Sequence, residues 1–174
     1  MTKYEELLEI ASQEDVKVYE NYDLSGTRLK GLYCNGIIAL NKDIKTQTER
    51  VCVLAEELGH HYTTVGNITN LSDMNCCKQE LKARLTAYND RIGLQGIIQA
   101  YNARRTSPED MAEFLEVTPE FLQEALECYR AKYSPYIKVD NYVIFFEPCL
   151  AVMEAIRNCP LIETEEKREH YGNI

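Results

Sequence analysis

Three polar side chains with the chemistry of a metal site lie close together in the sequence: Glu56, Glu57 and His60. Glu56 and His60 are four residues apart, a separation that lets two side chains of one helix bind the same ion. At about 100° per residue, all three share one side of a helix. The opposite side is apolar and consists of Val51, Leu54, Ala55, Leu58, Tyr62 and Val65. The stretch predicts an amphipathic helix whose polar face is either a metal site or an ordinary solvated surface.

A second register is open, because His61 lies four residues after Glu57. We favour His60, since His61 falls toward the apolar edge of the helix, where a histidine that orients other groups is expected. A further role for His61 or Tyr62 is to stabilise the oxyanion of a tetrahedral intermediate. For Tyr62 the competing interpretation, which we favour, is packing in the core.

The residues before this helix predict the elements that position it. Residues 1–12 have the pattern of an amphipathic helix, and Val16–Tyr19 alternates like a strand edge. In residues 29–40, Asn35-Gly36 separates two β-prone runs, which is a strong signal for a hairpin. A small sheet is therefore expected just before the polar-faced helix.

A capping-box pattern marks where the polar-faced helix begins. Thr46 and Glu49 have the required spacing, and we expect the helix to end near Val65. Further helices are predicted over residues 74–91, 94–105 and, as a short and a longer helix, 107–133. One more β element is predicted after Pro135.

Together these elements predict an α+β fold that is mostly helical. A small N-terminal β-sheet would pack on the polar-faced helix, and a helix-turn-helix-like layer would follow. We expect a core over residues 1–92 and a helical region over 93–174, joined in one compact unit.

Composition narrows the classes of partner. Lys and Arg number 19 against 28 Asp and Glu, a net charge of −9, which disfavours binding to a polyanion. No apolar run approaches the roughly 18 residues of a membrane span, and the N-terminus lacks the pattern of a signal peptide. We therefore expect a cytoplasmic protein that does not bind membranes, with its seven cysteines reduced and buried.

The helix-turn-helix-like segment, residues 107–127, would usually indicate a DNA reader. It contains no Lys or Arg, and its seven acids are Glu109, Asp110, Glu113, Glu116, Glu120, Glu124 and Glu127. Such a surface repels DNA. We expect a packing layer or a docking surface for a basic partner, and no direct binding of nucleic acid.

Three segments together resemble the ImmA/IrrE family of zinc metallopeptidases, found on phages and mobile elements. They are GLYCNGIIALNKDI, RVCVLAEELGHHYTT and KQELKARLTAYN. LAEELGHHYTT is similar to the HExxH helix of gluzincin-like peptidases, with Glu in place of the first His. The resemblance covers residues 29–92 well and 107–133 more loosely. It implies a zincin-like peptidase core.

The resemblance also implies roles for individual residues. Glu57 matches the general base, His60 the second metal ligand, and Glu80 the third ligand, on the next helix. Glu56 takes the first-ligand position, where the family has histidine. The resemblance implies Zn²⁺, but the extra carboxylate would also suit Mn²⁺ or Fe²⁺ and would slow hydrolysis.

Near Glu80 the family pattern has two alanines, and Ala83 and Ala87 stand at those positions. Both lie beside Glu80 on a helix surface, where small residues would let the second helix approach the first.

The expected function is a metal-dependent endopeptidase that cleaves a regulatory protein through metal-activated water. The resemblance implies that this protein is a helix-turn-helix repressor of a phage or mobile element. The alternative is a catalytically weakened or inactive family member that regulates by binding. A DNA-binding regulator is the third and weakest interpretation.

Overall fold

The computed structural model describes residues 1–63 and 73–155, with side chains of the second range described from residue 78 onward. The chain forms two compact units, Met1–Cys128 and Tyr129–Ile174. In chain order the elements are α1 (Lys3–Gln13), β1 (Lys17–Tyr22), β2 (Gly31–Cys34), β3 (Ile37–Asn41), α2 (Gln47–Thr63), α3 (Asp73–Arg91), α4 (Gly93–Asn102), α5 (Pro108–Leu115), α6 (Pro119–Tyr133), β4 (Tyr136–Val139), β5 (Tyr142–Phe145) and β6 (Ala151–Glu154). The predicted mixture of helices with a small N-terminal sheet is confirmed.

The first unit contains a three-stranded sheet in the order β1-β3-β2. The central strand β3 is parallel to β1 and antiparallel to β2. Asn35 and Gly36 join β2 to β3 with φ angles of 46° and 76°. A two-residue hairpin turn needs this left-handed backbone, which Asn and Gly adopt at little cost. The predicted hairpin is confirmed, and it leaves β2 at an edge of the sheet.

Helix α2 is the polar-faced helix, and it lies at the centre of the first unit. Thr46 Oγ1 accepts a hydrogen bond from the Glu49 amide at 3.1 Å, which confirms this half of the predicted cap. The Glu49 carboxylate binds Lys30 Nζ at 2.6 Å. Beyond the predicted apolar stripe, Cys52 and Val53 are buried too. The helix is enclosed on several sides because it contacts α1, α3, β2 and β3.

Small residues let α3 pack closely against α2. Ala83 and Ala87 are buried, and a Cβ added to Gly59 would overlap the carbonyl oxygen of Ala83. The two backbones therefore touch at this point. This confirms the close approach predicted from the alanines that follow Glu80.

Helices α5 and α6 are joined by a short turn. Ser107 Oγ caps α5 by accepting a hydrogen bond from the Asp110 amide at 3.1 Å, and Glu116 ends it with a φ of 58°. The amide of Thr118 then donates to Cys52 Sγ at 3.4 Å, which ties the turn to α2. The predicted short helix, turn and longer helix are confirmed.

The second unit contains its own antiparallel sheet, in the order β4-β5-β6. Ile144 and Phe146 are buried, and the Phe146 ring packs against Tyr129 and Tyr133. The β element predicted after Pro135 is confirmed, and it is larger than predicted, since three short strands pair there. Four-residue strands are too short for alternation to distinguish them from loops.

Three predictions about exposure are wrong. Tyr62 is 43% exposed, and in the last turn of α2 its ring lies edge-on against His61 at 5.3 Å. Cys34 and Cys149 are exposed, whereas Cys52 is buried as expected. The end of α2 near Val65, Cys159, the tail after Pro160, and the side chains of Cys76 and Cys77 lie outside what the structure describes. In the described ranges, no helix is long and apolar enough to span a bilayer.

Candidate functional site

A cavity of about 990 Å³ opens in the first unit between β2, α2, α3 and α6. Its lining includes all four residues predicted for the catalytic base and the metal ligands: Glu56, Glu57, His60 and Glu80. The first three come from one face of α2 and the fourth from α3. The fold therefore gathers these side chains around one space.

Glu57 is the most deeply held of the four, with only 9% of its surface exposed. A Cβ added to Gly31 would lie 2.6 Å from Glu57 Oε1, so β2 fits over this carboxylate only because position 31 has no side chain. The backbone N–H of Tyr33 donates a hydrogen bond to it. Burial, followed by the charge of Glu56, raises the pKa of Glu57 to about 7.

Glu56 lies beside it and is partly buried. Burial, and then the negative charge of Glu124, raises the pKa of Glu56 to about 7 as well. Arg84 and Lys30 oppose this shift without cancelling it. The cavity thus concentrates carboxylates that are only partly compensated by cationic side chains.

His60 and Glu80 meet across the two helices. Glu80 Oε2 lies 3.5 Å from His60 Nε2, with 44% and 29% of the respective side chains exposed. The other oxygen, Glu80 Oε1, accepts a hydrogen bond from Arg84 Nε at 2.9 Å. One nitrogen and one oxygen from different helices therefore face the same point in the cavity.

Among the described side chains of residues 1–63 and 78–155, no three or more His, Cys, Asp or Glu form a closed group that could hold a metal ion. Glu56 shares the cavity with His60 and Glu80 without completing such a group. The donor types nevertheless suit a divalent metal, since imidazole nitrogen and carboxylate oxygen are accepted by Zn²⁺, Mn²⁺ and Fe²⁺. A cation would also favour the ionised form of carboxylates whose pKa is raised by burial.

His61 has a different environment from His60. Its Nδ1 lies 3.0 Å from Tyr33 Oη, and the same hydroxyl oxygen accepts a hydrogen bond from the Gly36 amide at 3.2 Å. The Tyr33 and His61 rings also pack edge to face. These contacts join α2 to the hairpin. The oxyanion role suggested for His61 or Tyr62 stays a prediction.

Several residues of the site were missed from the sequence: Gly31, Tyr33, Arg84, Tyr88 and Glu124. Arg84 had a readable signal, because it follows Glu80 by four residues, the spacing of a helical ion pair. The other four had none. Their contacts join segments far apart in the chain, such as the hydrogen bond between Tyr88 and Glu124.

The chain matches the model of the M78 peptidase family, described as the IrrE N-terminal-like domain, over residues 11–127. It is also 26% identical over 123 residues to an adenylosuccinate synthetase from Schistosoma mansoni, an alignment that covers 70% of this chain but 29% of that protein. That likeness, over so small a part of the relative, carries no conclusion about the reaction. No solved structure matches the chain.

The M78 family is one of metallopeptidases, so membership implies a metal cofactor and a protein substrate. The match includes the whole of α2 and α3, and with them Glu56, Glu57, His60 and Glu80. Since it extends over more than half of the chain, this chain belongs to the M78 peptidase family, as an IrrE N-terminal-like domain.

Proposed function

We propose that this chain is a metal-dependent endopeptidase in which Glu56, His60 and Glu80 hold the metal and Glu57 is the general base. The observation that carries the proposal is the pairing of His60 Nε2 with Glu80 Oε2 at 3.5 Å, in a cavity also lined by Glu56 and Glu57. Zn²⁺ is the expected ion, and Mn²⁺ or Fe²⁺ also suit a set that contains two carboxylates.

A bound divalent metal would supply Lewis acidity, which acidifies water and polarises a peptide carbonyl. The side chains of the protein carry out the proton transfers. A carboxylate oxygen of Glu57 takes a proton from the attacking water and passes it to the leaving amine. Without a metal, burial and the charge of Glu56 raise the pKa of Glu57 to about 7, and a bound cation would lower it and so favour the carboxylate that accepts the proton.

The proposed substrate is a cytoplasmic regulatory protein, a helix-turn-helix repressor of a phage or mobile element. Its DNA-binding surface would be basic, because phosphate contacts depend on Lys and Arg. Residues 107–127 carry seven acids and no basic residue, which makes this segment complementary in charge. Glu120 and Glu124 from it line the cavity, so this acidic surface leads to the proposed site.

A second function, regulation by binding without cleavage, is favoured by one specific observation. Glu56 stands where the family has a histidine ligand, and among the described residues it does not complete a closed set of donors with His60 and Glu80. A protein with this site and no turnover would still present the acidic segment to a basic partner.

Metal content tests the proposed metal site. Protein purified without chelator is analysed by ICP-MS, together with Glu80→Ala and Glu57→Gln. We expect about one transition-metal ion per chain in the unmodified protein and in Glu57→Gln, and a clear loss in Glu80→Ala. An unmodified protein without stoichiometric metal contradicts the peptidase proposal.

Cleavage is then tested by incubating the metal-loaded protein with the repressor encoded beside its gene and identifying products by mass spectrometry. Glu57→Gln should lower the rate by roughly 10²- to 10⁴-fold, the usual contribution of a general base. Glu9→Gln, an exposed acid on α1 outside the acidic segment, is the matched control and should keep the full rate. Stable binding of the repressor without cleavage would support the second function.

A further inference from the structure

Beyond the predicted ligands, a network of interacting side chains lies along one wall of the cavity. Arg84 Nε donates to Glu80 Oε1 at 2.9 Å, and Arg84 Nη1 lies 3.9 Å from Glu124 Oε2. That Glu124 oxygen accepts a hydrogen bond from Tyr88 Oη at 2.9 Å. This network therefore connects Glu80 on α3 to Glu124 on α6, and Glu124 to the buried Tyr88 on α3.

The two ends of this network differ in how freely their side chains can rotate. Tyr88 is completely buried, so its hydroxyl is a fixed donor for Glu124. Glu80 and Arg84 are partly exposed, with 44% and 47% of their side chains accessible. A glutamate on such a surface samples several rotamers unless a partner selects one. The contact with Arg84 supplies that selection.

Glu80 divides its two oxygens between two partners. Oε1 is held by Arg84, while Oε2 is the atom that lies 3.5 Å from His60 Nε2. Apart from the half-turn that exchanges the two equivalent oxygens, a rotation of the carboxylate would break the bond to Arg84 Nε. The arrangement therefore keeps one carboxylate oxygen facing the imidazole.

We propose that Arg84 is a positioning residue that holds Glu80 in the orientation in which Oε2 faces His60. The inference rests on the proposed function, because it assigns Arg84 to the metal site formed there. Arg84 binds no metal itself and acts only through Glu80. Partners that orient metal ligands in this way commonly contribute about 10- to 100-fold to metal affinity.

The direction in which metal affinity changes when Arg84 is replaced distinguishes a positioning role from a purely electrostatic one. Arg84 is cationic, and a positive charge beside the site repels a divalent metal. If charge alone mattered, removing it would tighten metal binding. Positioning predicts the reverse, namely weaker binding once Glu80 is free to rotate.

The test is the dissociation constant for Zn²⁺, measured by competition with a chromophoric chelator, in the unmodified protein, Arg84→Met, Arg84→Lys and Lys82→Met. We expect roughly tenfold weaker binding in Arg84→Met, in line with other groups that orient metal ligands. Arg84→Lys keeps the charge and one donor and should fall between. Lys82→Met removes an equal charge from an exposed site on α3 and should match the unmodified protein.

Each result has one meaning. Equal or tighter Zn²⁺ binding in Arg84→Met, with binding intact in the unmodified protein, overturns the role of Arg84 alone. Failure of the unmodified protein to bind Zn²⁺ overturns the proposed function and this inference with it. Melting temperatures of the metal-free proteins, which we expect to agree within about 2–3 °C, show that the fold is unchanged.

Discussion

The two walls of the cavity hold their carboxylates by different means. Glu57 lies 9% exposed between α2 and β2, against Gly31 and under the amide of Tyr33. Glu80, on α3, has 44% of its side chain exposed and is held by Arg84. Backbone and core packing position the proposed base, whereas a surface ion pair positions the proposed ligand.

This difference predicts how substitutions in each wall of the cavity should affect the protein. Packing tolerates almost no added volume, because protein interiors are already dense. Exposed ion pairs contribute only about 0–1 kcal/mol to stability and are screened by salt. Changes in the packed wall should therefore affect folding and proton transfer, and changes on α3 should affect metal affinity with little cost to the fold.

The largest effect is expected where α2 and α3 touch. In Gly59→Ala, the new methyl group would overlap the carbonyl oxygen of Ala83, and backbone atoms cannot rotate away. Overpacking typically costs about 1–3 kcal/mol and more when backbone must move, so we expect about 3 kcal/mol after alanine's gain of ~1 kcal/mol in a helix. Chemical denaturation measures this loss.

The control for that variant is Gly96→Ala in α4. There the added methyl group would meet the flexible end of Leu115 at 3.1 Å, and we expect a change within about 1 kcal/mol. In Gly59→Ala, α3 must move away from α2 to relieve the overlap with Ala83. This movement should separate Glu80 from His60 and weaken Zn²⁺ binding. Unchanged stability and metal affinity would show that the contact between the helices is not tight.

The next effect concerns the proposed base. In Gly31→Ala, the methyl group would lie 2.6 Å from Glu57 Oε1 and 2.7 Å from Val53 Cγ1, so the carboxylate must move. A shift of about 1 Å at a reacting group can cost about 10² in rate. We expect that loss in the cleavage assay, with Zn²⁺ affinity nearly unchanged.

Gly26→Ala is the matched control, because nothing lies within 4 Å of the added methyl group. Equal loss of metal affinity and rate in Gly31→Ala would contradict the division between the two walls. It would mean that β2 also positions the ligands.

The smallest effect should come from the contact between the hairpin and the end of α2. Tyr33→Phe removes the hydroxyl that lies 3.0 Å from His61 Nδ1 and that accepts from the Gly36 amide. A hydrogen bond of this kind contributes about 0.5–1.5 kcal/mol, so we expect about 1 kcal/mol of destabilisation and a rate within about threefold. A much larger loss of rate would indicate that His61 takes part in the reaction.

Much of the first unit could be predicted from the sequence, because its signals are local. The Thr46 cap, the Asn35-Gly36 turn and the apolar stripe of α2 each depend on residues within a few positions of one another. The grouping of Glu56, Glu57 and His60 on one face of α2 has the same origin. Helical periodicity alone places them on one face of the helix.

The failures occurred where packing overrides local pattern. Tyr62 belongs to the apolar stripe by angle, yet it is exposed and lies against His61. Cys52 and Val53 fall outside the stripe, yet they are buried because α2 is enclosed on several sides. The sheet of the second unit consists of strands too short to give a periodic signal.

By itself the sequence determined the candidate ligands and base, the helix that carries three of them, and the family. Only the tertiary structure decided that Gly31 and Tyr33 enclose Glu57, that His60 rather than His61 meets Glu80, and that Arg84 holds Glu80 in place. The physical reason is how far apart in the chain the interacting residues lie. Caps, turns and helical faces follow from neighbours in the chain, whereas the orientation of a carboxylate depends on whichever distant elements pack against it.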